Sequence, residues 1–281
     1  MAAPRSSRLK HAVLIGGGRM GSAMARGWLG DLAGAGLSKL SVVEPAPVDD
    51  VKEAGKAGFI ALNPKPEPAD LLILAIKPQG FAAAADALKA WVGPETLTIS
   101  IMAGVTISRI ADALDCPMVV RAMPNTPGAI GMGATGFAMS DACDDDEAEL
   151  TASLLEPLGL VVGPLKETQM DAVTAVSGSG PAYVFLLVEA LAAAGRSAGL
   201  HEADANALAR ETIIGAGALL GEASEPPSEL RKQVTSPGGT TAAALDVLMA
   251  PGGMGDLMRK AVDAAVKRGA ELAKEAEKKK A

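Results

Sequence analysis

With 281 residues, 49% of them apolar and 21% charged, the chain has an ordinary globular composition and enough length for two domains. Its formal charge of −7 argues against a nucleic-acid partner, which would call for clustered Lys and Arg. Two cysteines build no disulfide framework, no closely spaced Cys or His pair offers a metal site, and no apolar run reaches the roughly 18 residues of a membrane span, so a cytoplasmic protein without metal is expected.

Residues 12–15 read as a short strand that runs into Gly16-Gly17-Gly18-Arg19-Met20-Gly21, and residues 22–32 read as a helix. Strand, glycine turn and helix in that order are what a dinucleotide cradle needs. Gly16 permits the tight turn, Gly18 lets the backbone approach a pyrophosphate, and Gly21 lets the helix pack closely on the strand. Phosphates would then meet the free N–H groups of a helix start. The alternative is a glycine-rich surface turn, which the flanks disfavour. A second strand, 40–44, ends in Glu44 and is stopped by Pro45. An acid there, about 20 residues past the glycines, accepts from the adenosine ribose hydroxyls and repels a 2′-phosphate, which favours NADH. Lys52 and Lys56 are the groups by which a phosphate could still be held.

A helix (48–57), a short strand (59–62) and a proline-broken loop lead to the apolar run 71–76, the pattern of a parallel strand buried on both faces. Ligands collect at the carboxyl ends of such strands, so Ala75 to Lys77 should face the cofactor. Helix 81–91, strand 97–101, the turn Met102-Ala103-Gly104 and helix 107–114 continue an alternation that predicts a doubly wound parallel sheet. Strand 117–121 runs into Pro124-Asn125-Thr126-Pro127, where two prolines set the backbone around one amide side chain; an ordinary proline turn is the other reading. Strands 133–139 and 160–162 close the sheet, with the acidic stretch 141–155 between them read as solvated helix N-terminal charge.

Past Lys166 strand patterns give way to Ala-, Leu- and Glu-rich helical ones: 167–176, 181–198, 201–220, 227–234, 240–249 and 254–279. The reading is α/β: an N-terminal Rossmann-type dinucleotide-binding domain (1–165) followed by an all-helical substrate-binding and dimerisation domain (166–281). Helices so rich in Ala and Gly are expected to complete their core against a second copy, giving a homodimer or an oligomer built from dimers. His11, at the first strand, and His201, at a helix start, are expected as surface or capping residues. Two loops, VSGSGPAY (176–183) and VTSPGGTT (234–241), place small hydroxyl and glycine residues directly before helices, which makes both of them anion-ready.

Together with GGGRMG, AIKPQ and RAMPNTP, these loops closely resemble the pyrroline-5-carboxylate reductase family, with the motifs in family order from about residue 11 to 267. The resemblance implies reduction of the cyclic imine pyrroline-5-carboxylate to L-proline by NADPH or NADH. It also implies residue roles. Gly16, Gly18, Arg19, Met20 and Gly21 hold the pyrophosphate; Asn63 and Lys77 line the adenosine ribose and nearby cofactor; Ala103, Gly104 and Asn125 lie on the nicotinamide side. Ser236, Gly238, Gly239, Thr240 and Thr241 hold the substrate, with the Thr241 hydroxyl near the ring nitrogen. Glu44 departs from the small, polar or basic residues that many members carry there, which bears on the cofactor and not on the reaction.

The scarcity of acid–base residues agrees with this chemistry, since a protonated imine needs a placed hydride donor and electrostatic holding but no further proton. Two other readings share the fold. A β-hydroxyacid dehydrogenase would need a catalytic lysine in the helical half, and helix 181–198 has none. A dinucleotide-sensing regulatory protein would have no use for a carboxylate cradle at SPGGTT.

Overall fold

The first glycine turn follows the third strand across an eight-stranded sheet whose strands, numbered in chain order, lie 3-2-1-4-5-6-7-8. The computed structural model describes residues 9–30 and 37–278. The strands and helices of the first part are β1 (His11–Ile15), α1 (Arg19–Gly30), β2 (Lys39–Val43), α2 (Asp49–Lys56), β3 (Ala61–Leu62), β4 (Ala69–Leu74), α3 (Pro78–Leu88), β5 (Val92–Ser100), α4 (Ile107–Leu114), β6 (Val119–Met123), β7 (Gly133–Met139), α5 (Asp145–Leu155), β8 (Gly159–Leu165) and α6 (Met170–Val173). The first six strands pair in parallel, and alternate residues feed the two faces. Ala12, Leu14, Leu71 and Ile73 pack into one apolar cluster, while Val13, Ile15, Leu72 and Leu74 pack into the other. Burial on both faces is why these strands read as unbroken apolar runs.

Several expectations change in detail. β7 pairs antiparallel with β6, and β8 runs parallel to β7, so the last two strands oppose the first six. The short turn through Asn125 and a 3-10 segment (Thr126–Ile130) joins β6 to β7, and a connection without a crossover helix returns the chain antiparallel. α1 begins at Arg19, inside the glycine motif, because the Ser22 N–H closes its first turn on the Gly18 carbonyl at 2.8 Å; residues 31 and 32 of the predicted helix lie outside the described residues. The acidic stretch forms a helix start as expected: Asp144 caps α5 and Glu147 completes a capping box.

The segment read as one helix over 167–176 is three local forms in succession: a 3-10 turn (Glu167–Gln169), α6, and a π-helical turn (Thr174–Gly178). Hydroxyl back-bonding explains the loosened coil, since Thr174 Oγ1 donates to the Met170 carbonyl and Ser177 Oγ to the Val173 carbonyl, each at 2.9 Å. Gly178 ends it where a Cβ would meet Met123 Cε at 2.9 Å. His11 also departs from expectation. It is buried at the start of β1, its Nε2 2.8 Å from Ser41 Oγ, so it belongs to the sheet and not to the surface.

The chain divides into two compact units, 1–178 with 265–281, and 179–264. Strands end at Leu165, but α6 stays with the sheet, its Met170 fully buried in one apolar cluster. The second unit contains α7 (Gly180–Ser197), α8 (Glu202–Glu222), α9 (Pro227–Gln233), α10 (Thr240–Leu248) and the first part of α11 (Met254–Lys278). Small residues do bring two of these helices together: a Cβ on Gly195 of α7 would stand 3.4 Å from Ala205 Cβ of α8, and Ala192, Ala205 and Ala209 are buried there. The faces left over are apolar and exposed, with Phe185, Leu187 and Leu191 on α7 and Leu208, Ile214 and Leu219 on α8.

Candidate active site

In the strand order, β2 lies on one side of β1 and β4 on the other, so a crevice opens beyond their carboxyl ends, the place where open α/β sheets bind ligands. The strand ends are tied across this crevice. The Gly16 N–H donates to the Val43 carbonyl at 2.9 Å, and the Ala75 N–H donates to the Ile15 carbonyl at 2.8 Å. Gly16 has a φ of +103°, and a Cβ on it would stand 2.6 Å from the Ala75 carbonyl oxygen, so neither the turn nor the approach to β4 admits a side chain. A Cβ on Gly21 would collide with the Gly16 carbonyl oxygen, which fixes how closely α1 lies on the turn. Gly18 differs from both: a Cβ there would meet nothing within 4 Å. Its missing side chain leaves room above the loop, beside the unbonded first-turn N–H groups of α1. A pyrophosphate fits there, with Arg19 exposed at the helix start.

On the β2 side, the half-buried Glu44 carboxylate reaches back to the glycine loop. Oε2 accepts the Gly17 N–H at 2.7 Å and Oε1 accepts the Ala46 N–H at 2.9 Å. A carboxylate has about four lone-pair sites, so two remain for ribose hydroxyls. Asn63 has a φ of 49°, a conformation few residues other than glycine adopt. Its side chain clamps the Glu44 backbone, with Oδ1 accepting the Glu44 N–H at 2.8 Å and Nδ2 donating to the Glu44 carbonyl at 3.0 Å. Asn63 therefore sets where Glu44 stands. Lys52 is exposed and paired with Asp49 at 3.0 Å, and Lys56 is exposed.

On the other side of the crevice, Ala75 follows β4 and the exposed Lys77 caps α3, with Pro78 at its first position. The turn after β5 carries Ala103 and Gly104, the latter left-handed with a φ of +72°. Asn125 bridges two neighbours: its Oδ1 accepts the Ala134 N–H at 2.9 Å, and its Nδ2 donates to the Ser177 carbonyl in the π-helical turn at 3.0 Å. Much of the hydrogen-bonding capacity of the two asparagines is thus spent on backbone. Arg121, one residue type within RAMPNTP that drew no reading from sequence, is buried on β6 beside Glu167 and Asp171.

The loop Ser236 to Gly239 belongs to the other unit and precedes α10, with Ser236 to Gly238 exposed and Gly239 half-buried. Gly238 is left-handed with a φ of +68°, and the Gly239 N–H is spent on the Ser236 carbonyl at 3.0 Å. The anion-ready donors of this loop are therefore the N–H groups of Thr240 and Thr241, in the first turn of a nine-residue helix. His201 precedes α8 at its N-cap without a side-chain capping bond.

A family model described as pyrroline-5-carboxylate reductase dimerisation matches residues 167–272. The pyrroline-5-carboxylate reductase of Pseudomonas aeruginosa is 36% identical over 267 residues, covering 93% of this chain and 96% of that protein. The enzyme of the same name from Synechocystis sp. is 42% identical over 205 residues, covering 73% and 76%. Among solved structures, a pyrroline-5-carboxylate reductase from Coxiella burnetii matches with a TM-score of 0.83 at 33% identity, covering 93% and 98% of the two chains. Plasmodium falciparum pyrroline carboxylate reductase, solved with NADP bound, matches with a TM-score of 0.74 at 26% identity, covering 95% and 99%.

Proposed function

Because the chain belongs to the pyrroline-5-carboxylate reductase family, we propose that it makes proline by reducing the C=N bond of pyrroline-5-carboxylate through the residues described above. The observation that carries the cofactor half is the open space over Gly18 at the β1/β4 crevice, flanked by two glycines that are closed by packing. Gly16 to Gly21 hold the pyrophosphate with first-turn N–H groups of α1. Glu44 takes the adenosine ribose through its two remaining lone-pair sites and disfavours a 2′-phosphate, so NADH is the better cofactor of the two. Ala75 and Lys77 line the middle of the crevice; Ala103 and Gly104, beyond β5, lie along the nicotinamide edge, with Asn125 holding the neighbouring turn.

The bound reduced nicotinamide supplies the hydride. The chain's own residues do the holding: the Thr240 and Thr241 N–H groups take the substrate carboxylate at the start of α10, where the helix dipole favours negative charge. The Thr241 hydroxyl hydrogen-bonds the ring nitrogen. That nitrogen arrives protonated, and attack at the adjacent carbon turns the iminium into an amine, so no side chain has to deliver a proton during the step. α7 contains no lysine, which fits an imine reductase better than a hydroxyacid dehydrogenase.

The protein is a homo-oligomer, and its unit is a dimer in which the apolar faces of α7 and α8 from two copies cover one another. The stretch Glu167–Ser197 is long and apolar enough to cross a membrane by length and composition. It falls wholly within the matched dimerisation segment, and a second copy is the partner this reading gives it. Cys116 and Cys143 are both buried, with the Cys116 thiol donating to the Thr96 carbonyl, and buried thiols suit a reducing compartment, the cytoplasm. The test is steady-state oxidation of NADH and of NADPH with and without pyrroline-5-carboxylate. Turnover dependent on the imine is expected; cofactor binding without turnover would refute the activity.

A further inference from the structure

The nicotinamide side of the crevice is held by a charge network that reaches it from far along the chain. Arg121 lies on β6 with its side chain almost wholly buried, and its two Nη groups face two carboxylates, Glu167 Oε1 at 3.6 Å and Asp171 Oδ1 at 3.2 Å. The same Glu167 oxygen accepts the N–H of Ile107 at 2.7 Å, across 60 residues of sequence. Ile107 opens α4, directly after the turn that carries Ala103 and Gly104. Glu167 thus satisfies a first-turn N–H that helix geometry leaves without a partner, at the end of the helix where a negative charge is favoured.

Local hydrogen bonds and packing by α11 also shape that turn. The Met102 N–H donates to Ser100 Oγ at 3.2 Å, Gly104 is left-handed, and Thr106 caps α4 by accepting the Arg109 N–H at 3.3 Å. A Cβ on Gly104 would stand 3.8 Å from Leu272 Cβ, and one on Gly269 would stand 3.4 Å from the Asp171 carboxylate, so the last part of α11 packs on both the turn and the network. Among the described residues, the Ile101 N–H ties the start of this turn to the Leu74 carbonyl at 3.0 Å, and Glu167, faced by Arg121, ties its far end at the Ile107 N–H.

We propose that Glu167 and Arg121 are positioning residues for hydride transfer: Glu167 fixes the backbone of residues 102–107 through the Ile107 N–H, and Arg121 orients Glu167 by charge. The proposal rests on the reading that Ala103 and Gly104 lie along the nicotinamide. Neither side chain touches the reacting atoms. Their effect is on where the turn stands, and a displacement of an ångström at such a place costs up to roughly a hundredfold in rate.

The experiment is single-turnover stopped flow, mixing enzyme loaded with limiting reduced nicotinamide against saturating pyrroline-5-carboxylate. The rate constant of nicotinamide oxidation does not depend on how much of the sample is folded, whereas the amplitude does. Glu167→Ala removes the acceptor and the charge, and its rate constant is expected to fall roughly tenfold or more. Glu167→Gln keeps an oxygen for the Ile107 N–H but loses the charge that Arg121 faces, and its rate constant is expected between those of Glu167→Ala and the parent. Arg121→Lys keeps a cation but not both Nη contacts, and it too should fall between Glu167→Ala and the parent. An unchanged rate constant with reduced amplitude for Glu167→Ala, or a Glu167→Gln loss as large as that of Glu167→Ala, would overturn the proposal in favour of a purely structural ion pair. Gly104→Ala separates this failure from failure of the underlying reading: if it too leaves the rate constant unchanged, the turn does not border the nicotinamide at all.

Discussion

Replacing Gly18 and Gly21 one at a time separates the two jobs of the glycine loop. A methyl at Gly18 meets nothing within 4 Å, so the fold has no reason to move. The stability cost is confined to the N-cap position ahead of α1, at most about 1 kcal/mol. A methyl at Gly21 runs into the Gly16 carbonyl oxygen, a backbone atom that no rotamer change can clear. Overpacking of that kind costs about 1–3 kcal/mol, offset by up to about 1 kcal/mol of helix propensity. Gly18→Ala should therefore melt within a few degrees of the parent, at about 2–4 °C per kcal/mol for a domain of this size. It should nonetheless bind reduced nicotinamide at least roughly tenfold more weakly, equivalent to about 1.4 kcal/mol, because the methyl stands where the pyrophosphate approaches. Gly21→Ala should show the larger loss of melting temperature. Cofactor affinity is read by titration of nicotinamide fluorescence and stability by thermal melts. A Gly18→Ala protein that binds cofactor like the parent would refute the assignment of the loop as a pyrophosphate cradle.

Glu44→Ser should raise the NADPH to NADH ratio of kcat/KM by roughly tenfold, the worth of removing one like charge from the 2′-phosphate; an unmoved ratio would take cofactor choice away from this residue. Thr241→Ala should lower kcat by roughly ten- to a hundredfold while cofactor affinity stays near that of the parent, and the reverse pattern in the same two assays would remove Thr241 from the mechanism. Burial at the sheet, with Lys39 nearby, holds the His11 pKa below its ordinary 6.5, against weaker opposing pulls from Glu67 and Asp70. The unfolded chain takes up that proton first, so stability is fully present above pH 6.5 and falls as pH drops from there toward the folded-state pKa. Melts at pH 7.5 and 5.5 should show the loss, and His11→Asn should reduce it. A charge in the apolar face of the second unit, Leu187→Glu, should shift the mass in solution toward monomer; an unchanged mass would move the interface elsewhere.

What the linear chain carried unaided was whatever depends on local period and local backbone conformation. Apolar runs marked β1, β4 and β5 as strands, β4 as one buried on both faces, and Gly16, Gly18 and Gly21 between a strand and a helix announced the turn. α4 and β7 lie where periodicity placed them, and Glu44 stands at the strand end that its position after the glycines implied. The motifs at 121–127 and 234–241 were legible as turns with polar side chains, and the order of the motifs named the family; 176–183, read as a loop, is instead the end of the π-helical turn running into α7.

Only the tertiary structure decided which partners those side chains meet. The resemblance implied cofactor-side positions for Asn63 and Asn125; that each also bonds backbone groups brought beside it by a neighbouring strand or turn is decided by the fold. The reversal of β7, the π-helical turn at Thr174–Gly178 and the burial of His11 depend likewise on what the sheet places next to them. Glu167 shows the reason most plainly. In sequence it is only the first residue of a helical pattern, and its bond to Ile107 exists because the pairing of β5 to β8, antiparallel at β6–β7, closes a loop of 60 residues. A pattern of residues records period and turn chemistry within a few positions; hydrogen bonds across such loops are set by strand order and packing, which no local pattern contains.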